Sequence, residues 1–175
     1  MTLFEFASEF QTAIVGIIGF GGVILTQVLN ARYARQREEA ALKSKRDAVT
    51  AAILTELKVF RDVIATNADS PRPEEGIFTH MPRPKRTVST ELMNELGLVH
   101  TNSLEDVLLG LLTIDEIGRS LIFLADESNE DFLTFGPDRF PAMAESLKTT
   151  LKFLDEAISS IEAETSLTAC RSAKR

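Results

Sequence analysis

The strongest feature of the hydrophobic pattern is a run of 22 residues, 10–31, without a single charged side chain. At 1.5 Å per residue a helix of this length reaches about 33 Å, enough to cross the hydrocarbon core of a bilayer. A fully buried helix of a soluble core is one alternative, although such helices are usually shorter and interrupted by charge. The run therefore predicts one membrane-spanning helix over residues 10–31.

A cleaved signal peptide is the competing interpretation of any apolar N-terminal run. Residues 1–9 are acidic where a signal peptide is basic, and no small-x-small cleavage site follows the run. We therefore expect residues 1–9 to form a short lead-in to a span that is retained.

Small residues recur along the span at spacings of three and four, which places them on one face of a helix. Such a face lets two helix backbones approach closely in lipid, where no hydrophobic force drives helices together. The alternative is that glycine is simply common in membrane helices. We interpret the pattern as a face for self-association or for docking on another membrane protein. Its residues are Ser8, Thr12, Gly16, Gly19, Gly22 and Thr26.

Charge differs sharply between the two ends of the span. Residues 1–9 carry two acidic side chains, whereas residues 30–46 carry six basic and two acidic ones. The positive-inside rule then places the N-terminus outside and the remainder of the chain in the cytoplasm. The expected location is the cell inner (plasma) membrane, with a single pass. Since the whole chain sums to −7, the part from Asp47 onward carries −9.

Residues 32–41 contain strong helix formers but no wide apolar stripe, which predicts a basic helical stalk. Arginines near a membrane surface attract anionic lipids by about 1 kcal/mol each. Arg32, Arg35 and Arg37 are therefore predicted to contact lipid headgroups, and the bilayer is the first expected partner.

Beyond the stalk, apolar residues recur with the period of an amphipathic helix over residues 42–64, 104–125 and 143–161. A shorter helix is expected over residues 89–98, and no alternating strand pattern is visible. Within the most apolar helix, Asp115 and Arg119 are four residues apart and are expected to form an ion pair.

The predicted fold class is all-α: one N-terminal transmembrane helix continuing into a cytoplasmic three- to four-helix bundle. The bundle is expected over residues 42–166, with a flexible tail over 167–175.

Residues 67–86 form the one long linker, and they contain prolines at 71, 73, 82 and 84. Proline lacks a backbone donor, so this stretch is expected to form neither a helix nor a central strand. It is either a partner-recognition loop, which can also fold back towards lipid headgroups, or a surface crossover that docks its apolar residues on the bundle. The candidate partner-binding residues are Ile77, Phe78, His80, Met81, Arg83, Lys85 and Arg86.

Few residues suggest catalysis or metal binding. The two histidines, His80 and His100, are 20 residues apart, and the one cysteine, Cys170, lies near the C-terminus. Two histidines so far apart and a single cysteine do not make the closely spaced ligand set of a zinc site. The acidic turn 126–131 lacks the glycine and the final carboxylate of a calcium loop. We therefore predict no catalytic, metal or cofactor site and no enzyme.

The acidic composition, with a pI near 4.9, argues against nucleic-acid binding. The expected function is a membrane-anchored interaction or scaffold protein whose cytoplasmic bundle self-assembles or binds a cytoplasmic protein. A small oligomeric effector that perturbs or permeabilises the bilayer is the alternative, although its span would lack the ionisable residue usual in membrane pathways. An enzyme of unknown type is the third possibility.

Overall fold

A computed structural model describes residues 11–99 and 101–172 of the chain, with side chains described for 15–99 and 103–166. The structure is 76% helical, which confirms the predicted predominance of helix. The described residues hold five helices and three short strands. The chain forms two compact units, Met1–Lys45 and Arg46–Arg175.

The longest helix, α1, spans Gln11–Ala68. The chain has no proline before Pro71, so no residue within α1 lacks a backbone donor. By length and composition alone, α1 is a helix that could cross a membrane. Its apolar stretch of 18 residues is 0% buried. Every side chain from residue 15 to residue 45 is exposed.

The second unit has a core of its own, built by the later part of α1 and by helices α3 (Thr101–Leu124) and α4 (Phe140–Ser172). Most of the apolar side chains that recur at helical spacing are buried, whereas Leu108 and Leu112 of α3 are 39% and 60% exposed. Leu42 is 58% exposed, so the buried stripe of α1 begins later than its predicted start. The most buried residues on the three helices include Val49, Ile53, Leu57, Ile64, Val107, Leu111, Ile114, Leu121, Met143, Leu147, Leu154 and Ile161.

Two ion pairs join α1 to α4 and reveal their relative direction. The Nζ atom of Lys58 lies 2.6 Å from Oε1 of Glu162, and Nε of Arg61 lies 3.0 Å from Oδ1 of Asp155. The later residue of α1 pairs with the earlier residue of α4, so these helices run antiparallel.

Helices α1, α3 and α4 meet at Gly110 of α3. A Cβ atom at this position would lie 3.0 Å from Cβ of Ala157 and 3.5 Å from Cδ2 of Leu57. A glycine inside a helix costs about 1 kcal/mol relative to alanine, so its presence here is explained by the space it leaves for the neighbouring helices.

A small antiparallel sheet with strand order β1-β3-β2 lies beside these helices, and the prediction of an all-α fold was incomplete here. Strands β1 (Thr79–Pro82), β2 (Glu127–Ser128) and β3 (Phe132–Phe135) are too short to show alternation. Strand β1 carries Pro82 at an edge of the sheet, where the missing donor is tolerated.

Two helix boundaries also differ from the sequence-based expectation. The short helix predicted over 89–98 is a single α turn, α2 (Val88–Glu91), followed by a 3₁₀ helix, Met93–Leu98. Helix α4 continues to Ser172, beyond the end expected at residue 166.

Candidate functional site

The seven candidate residues of the 67–86 linker do not form one surface in the structure. Met81 is fully buried and pairs in register with the equally buried Leu133 of β3. It therefore belongs to the core of the second unit, and its assignment to a partner-binding surface was wrong.

Ile77 and Phe78 lie before β1 and are 53% and 52% exposed. The Phe78 ring packs against the backbone at Gly136, where an added Cβ would be 3.4 Å from Cε1 of the ring. The amide of Gly136 donates a hydrogen bond of 2.7 Å to Oδ2 of Asp126, which holds this turn in place. Phe78 thus packs at the end of the sheet, and both residues keep about half of their surface exposed.

His80 faces its register partner across the β1–β3 ladder. Its Nδ1 atom lies 3.1 Å from Oγ1 of Thr134. Among the residues that the structure describes, no group of three or more His, Cys, Asp or Glu could hold a metal ion. His80 accordingly makes a cross-strand side-chain contact, while His100 lies outside the described residues.

The basic end of the linker is placed against helix α3. Arg86 donates two hydrogen bonds to Asp115, from Nε to Oδ1 at 2.7 Å and from Nη2 to Oδ2 at 2.5 Å. This bidentate geometry is typical of a guanidinium paired with a carboxylate. The expected pair between Asp115 and Arg119 was therefore wrong: Arg119 instead lies 3.9 Å from Glu116.

Two backbone contacts also hold residues 83–86 in place. A Cβ at Gly118 of α3 would be 3.3 Å from the carbonyl oxygen of Pro84, so the absent side chain lets the linker approach the helix. The amide of Arg83 donates a hydrogen bond of 2.8 Å to the carbonyl of Asp131. Residues 83–86 are thus tethered at three points.

Residues 83–86 and α3 enclose a recess of about 510 Å³. Its cationic side chains come from Arg83, Lys85 and Arg119, together with the paired Arg86. Arg83, Lys85 and Arg119 are exposed, whereas the Arg86 side chain is only 12% exposed. The remaining lining residues are Pro84, Thr90, Asp115, Gly118, Ile122 and Glu130. The recess thus combines four basic side chains with the two carboxylates of Asp115 and Glu130.

A buried carboxylate on α1 binds the backbone of residues 87–89, which follow segment 83–86 in the chain. Glu56 is only 7% exposed, and its oxygens accept hydrogen bonds from the amides of Thr87 (2.8 Å), Val88 (2.9 Å) and Ser89 (2.8 Å). These amides belong to the start of α2, where the helix leaves its donors without partners.

Burial alone raises the pKa of the Glu56 carboxyl. The hydrogen bonds from the Ser89 side chain and from the three backbone amides outweigh that effect, and the pKa lies below its usual value. Sequence analysis missed Glu56. Its one signal is position, because a glutamate between the core residues Ile53 and Leu57 falls on the buried side of the helix.

The predicted association face lies on the first unit. A Cβ atom added at Gly16, Gly19 or Gly22 would meet nothing within 4 Å. The Thr26 hydroxyl donates a hydrogen bond of 2.8 Å to the Gly22 carbonyl within the helix. Ser8 and the Thr12 side chain lie outside the described part. Arg32, Arg35 and Arg37 are exposed along the same helix.

No protein-family model matches this chain, and no curated protein or solved structure is detectably similar to it.

Proposed function

We propose that the protein is a membrane-anchored helical interaction or scaffold protein. Residues 10–31 form its anchor, and the helices of the second unit form a cytoplasmic bundle that self-assembles or binds a protein partner. The anchor lies in the cell inner (plasma) membrane, with the N-terminus outside.

The exposure of the apolar part of α1 carries this proposal. The large apolar side chains from Val15 to Leu29 are 41–73% exposed. Apolar surface in water costs roughly 25 cal/mol per Å², so a helix that is apolar on all sides requires a cover. The acyl chains of a bilayer supply such a cover over the length of this segment.

The self-contained core of residues 46–172 supports the second half of the proposal. Buried apolar side chains on three helices form one continuous core, and this core is closed without lipid. The exposed glycine face of α1 supports self-assembly through the anchor, because small residues allow close helix approach.

Membrane insertion is tested with a pair of double substitutions in the full chain. Ile17→Arg with Phe20→Arg introduces two charges into the predicted span, at about 2.5–3.5 kcal/mol each near its centre. Ala41→Arg with Leu42→Arg adds the same charges to the stalk. We expect the wild type and the stalk variant to stay in the membrane pellet after alkaline carbonate washing, and the span variant to be released. Release of the wild type would exclude an anchor.

Topology is tested with single cysteines in a Cys170→Ser background. We expect Thr2→Cys to react with a membrane-impermeant maleimide in intact cells, and Arg72→Cys to react only after lysis. The opposite labelling would overturn the orientation.

The mass of the full chain in detergent, together with dye release from vesicles, distinguishes a scaffold from a membrane-perturbing effector. A defined oligomer that also releases a dye from vesicles would favour the membrane-perturbing effector over the scaffold.

A further inference from the structure

The basic recess of residues 83–86 and α3 contains cations that the rest of the unit does not neutralise. Arg86 is occupied by Asp115, to which it donates two hydrogen bonds. Neither Arg83 nor Lys85 forms a side-chain ion pair with a residue in the described ranges. Arg119 makes one long contact with Glu116 at 3.9 Å. Three cations are thus available around one concave surface.

The backbone that carries Arg83 and Lys85 is held in place on both sides. The Arg83 amide is bonded to Asp131, Pro84 lies against Gly118, and Arg86 is clamped by Asp115. A tethered backbone loses less conformational entropy on binding than a free loop, so a ligand here gains from preorganisation.

The local charge contrasts with the charge of the surrounding unit. Residues 47–175 carry −9 in total, whereas the recess gathers four cations against two carboxylates. An extended polyanion such as a nucleic acid would be repelled by the acidic surroundings. A compact anion that fits inside the recess would not.

We propose that this recess binds a phosphomonoester. At neutral pH such a group carries between about −1.5 and −2 charges and three acceptor oxygens, which matches Arg83, Lys85 and Arg119 as donors. The recess, at about 510 Å³, has the size usual for small-molecule sites. Pro84 and Ile122 provide apolar wall for the organic part of the ligand. This site does not depend on membrane anchoring, because all of its residues belong to the second unit.

The experiment uses the full chain in a non-ionic detergent and a phosphate-free buffer. Calorimetric titration with inorganic phosphate and with glycerol 3-phosphate measures binding of soluble ligands. Mixed micelles that contain phosphatidic acid, compared with micelles that contain phosphatidylcholine, measure binding of a lipid headgroup. Saturable binding of glycerol 3-phosphate supports a soluble ligand, and binding of phosphatidic acid alone supports a lipid source of the same chemistry.

Two variants separate the recess from general charge. Arg83→Gln with Lys85→Gln should weaken binding about tenfold or more, because two charge-assisted contacts are lost. Lys148→Gln with Lys152→Gln removes the same charge from exposed positions of α4 and should leave the affinity unchanged.

Glu130→Gln tests the charge of the recess directly, because damage to the structure would not increase the affinity for an anion. Removing this carboxylate from the recess wall should tighten binding severalfold, and the gain should shrink at high salt. Circular dichroism of all variants should match the wild type. The proposal is overturned if no probe binds at millimolar concentration, or if the double Arg83/Lys85 variant binds as well as the wild type.

Discussion

Two apolar helical segments of this chain differ in the solvent exposure of their side chains. Between residues 15 and 29 of α1 every large apolar side chain is exposed, whereas on α3 residues such as Leu111 and Ile114 are at most 2% exposed. The first segment has no charged residue to define a polar face, while α3 carries the exposed Glu116 opposite its core side and Asp115 beside it. Hydrophobicity alone therefore does not predict burial within the chain; the distribution of polar residues around the helix does.

The sharpest test of this contrast compares two neighbouring leucines of α3. Leu111→Asp places an unpaired charge in the core, and we expect it to unfold the second unit, with a loss of about 4 kcal/mol or more. Leu112 is 60% exposed, so Leu112→Asp should change stability by less than about 0.5 kcal/mol. Denaturant unfolding followed by circular dichroism measures both. A folded Leu111→Asp variant would mean that the core is misplaced.

The second largest effect on stability is expected at Glu56, whose buried carboxylate accepts hydrogen bonds from the amides at the start of α2. Glu56→Gln leaves at least one backbone amide without an acceptor, and we expect a loss of about 1–3 kcal/mol. The exposed Glu91→Gln on the same short helix serves as the control and should be neutral.

The Glu56 contribution should also depend on pH. Its folded-state pKa lies below the ordinary value of 4.5, so the stabilisation is fully present above that pH. It is lost as the pH falls through the lower, folded-state pKa. The stability difference between the wild type and Glu56→Gln should accordingly narrow on acidification below 4.5. A difference that stays constant there would show that the charge of Glu56 contributes nothing.

A smaller effect is expected for the glycine face of the exposed segment. Gly16→Leu with Gly19→Leu should weaken self-association in detergent by about tenfold, because the backbones can no longer approach closely. Gly21 lies about 200° around the helix from Gly19, so Gly21→Leu should leave association unchanged. Both variants should stay in the membrane fraction. An unchanged oligomer size in the Gly16/Gly19 variant would exclude the face.

The smallest effect is expected at the surface of the second unit. Lys58 and Glu162 are each about half exposed, so solvent screens their ion pair. Lys58→Gln should reduce stability by less than about 0.5 kcal/mol in the same denaturant assay, and high salt should abolish the difference. A larger loss would mean that this contact between α1 and α4 contributes more than its exposure implies.

Sequence reasoning succeeded where the signal was periodic and long. The apolar stripe of α4 predicted most of its buried residues, because the helix must turn one face to the core. On α3 the apolar residues also include Leu112, which is 60% exposed. Sequence reasoning failed for the sheet, whose strands have two to four residues and offer no periodicity to detect. Met81 illustrates the consequence: within a proline-rich linker it resembled a surface residue, yet its pairing with Leu133 buries it completely.

The candidate site shows the same division. The basic residues Arg83, Lys85 and Arg86 stood out in the sequence as a cluster, but nothing local indicated which of them would stay free. Asp115 is 29 residues from Arg86, and the choice of Arg86 over Arg119 as its partner depends on where the linker crosses α3. The close approach at Gly118, which determines that crossing, involves residues 34 positions apart.

By itself, the sequence determined the helical content, the exposed apolar segment and the buried faces of the long helices, because these follow from residue order over neighbouring turns. Only the tertiary structure decided that Met81 is buried, that Glu56 holds the start of α2 and that three cations surround a common recess. Each of these depends on contacts between residues far apart in the chain, and such contacts form only when burial of the common core brings the helices and the linker together.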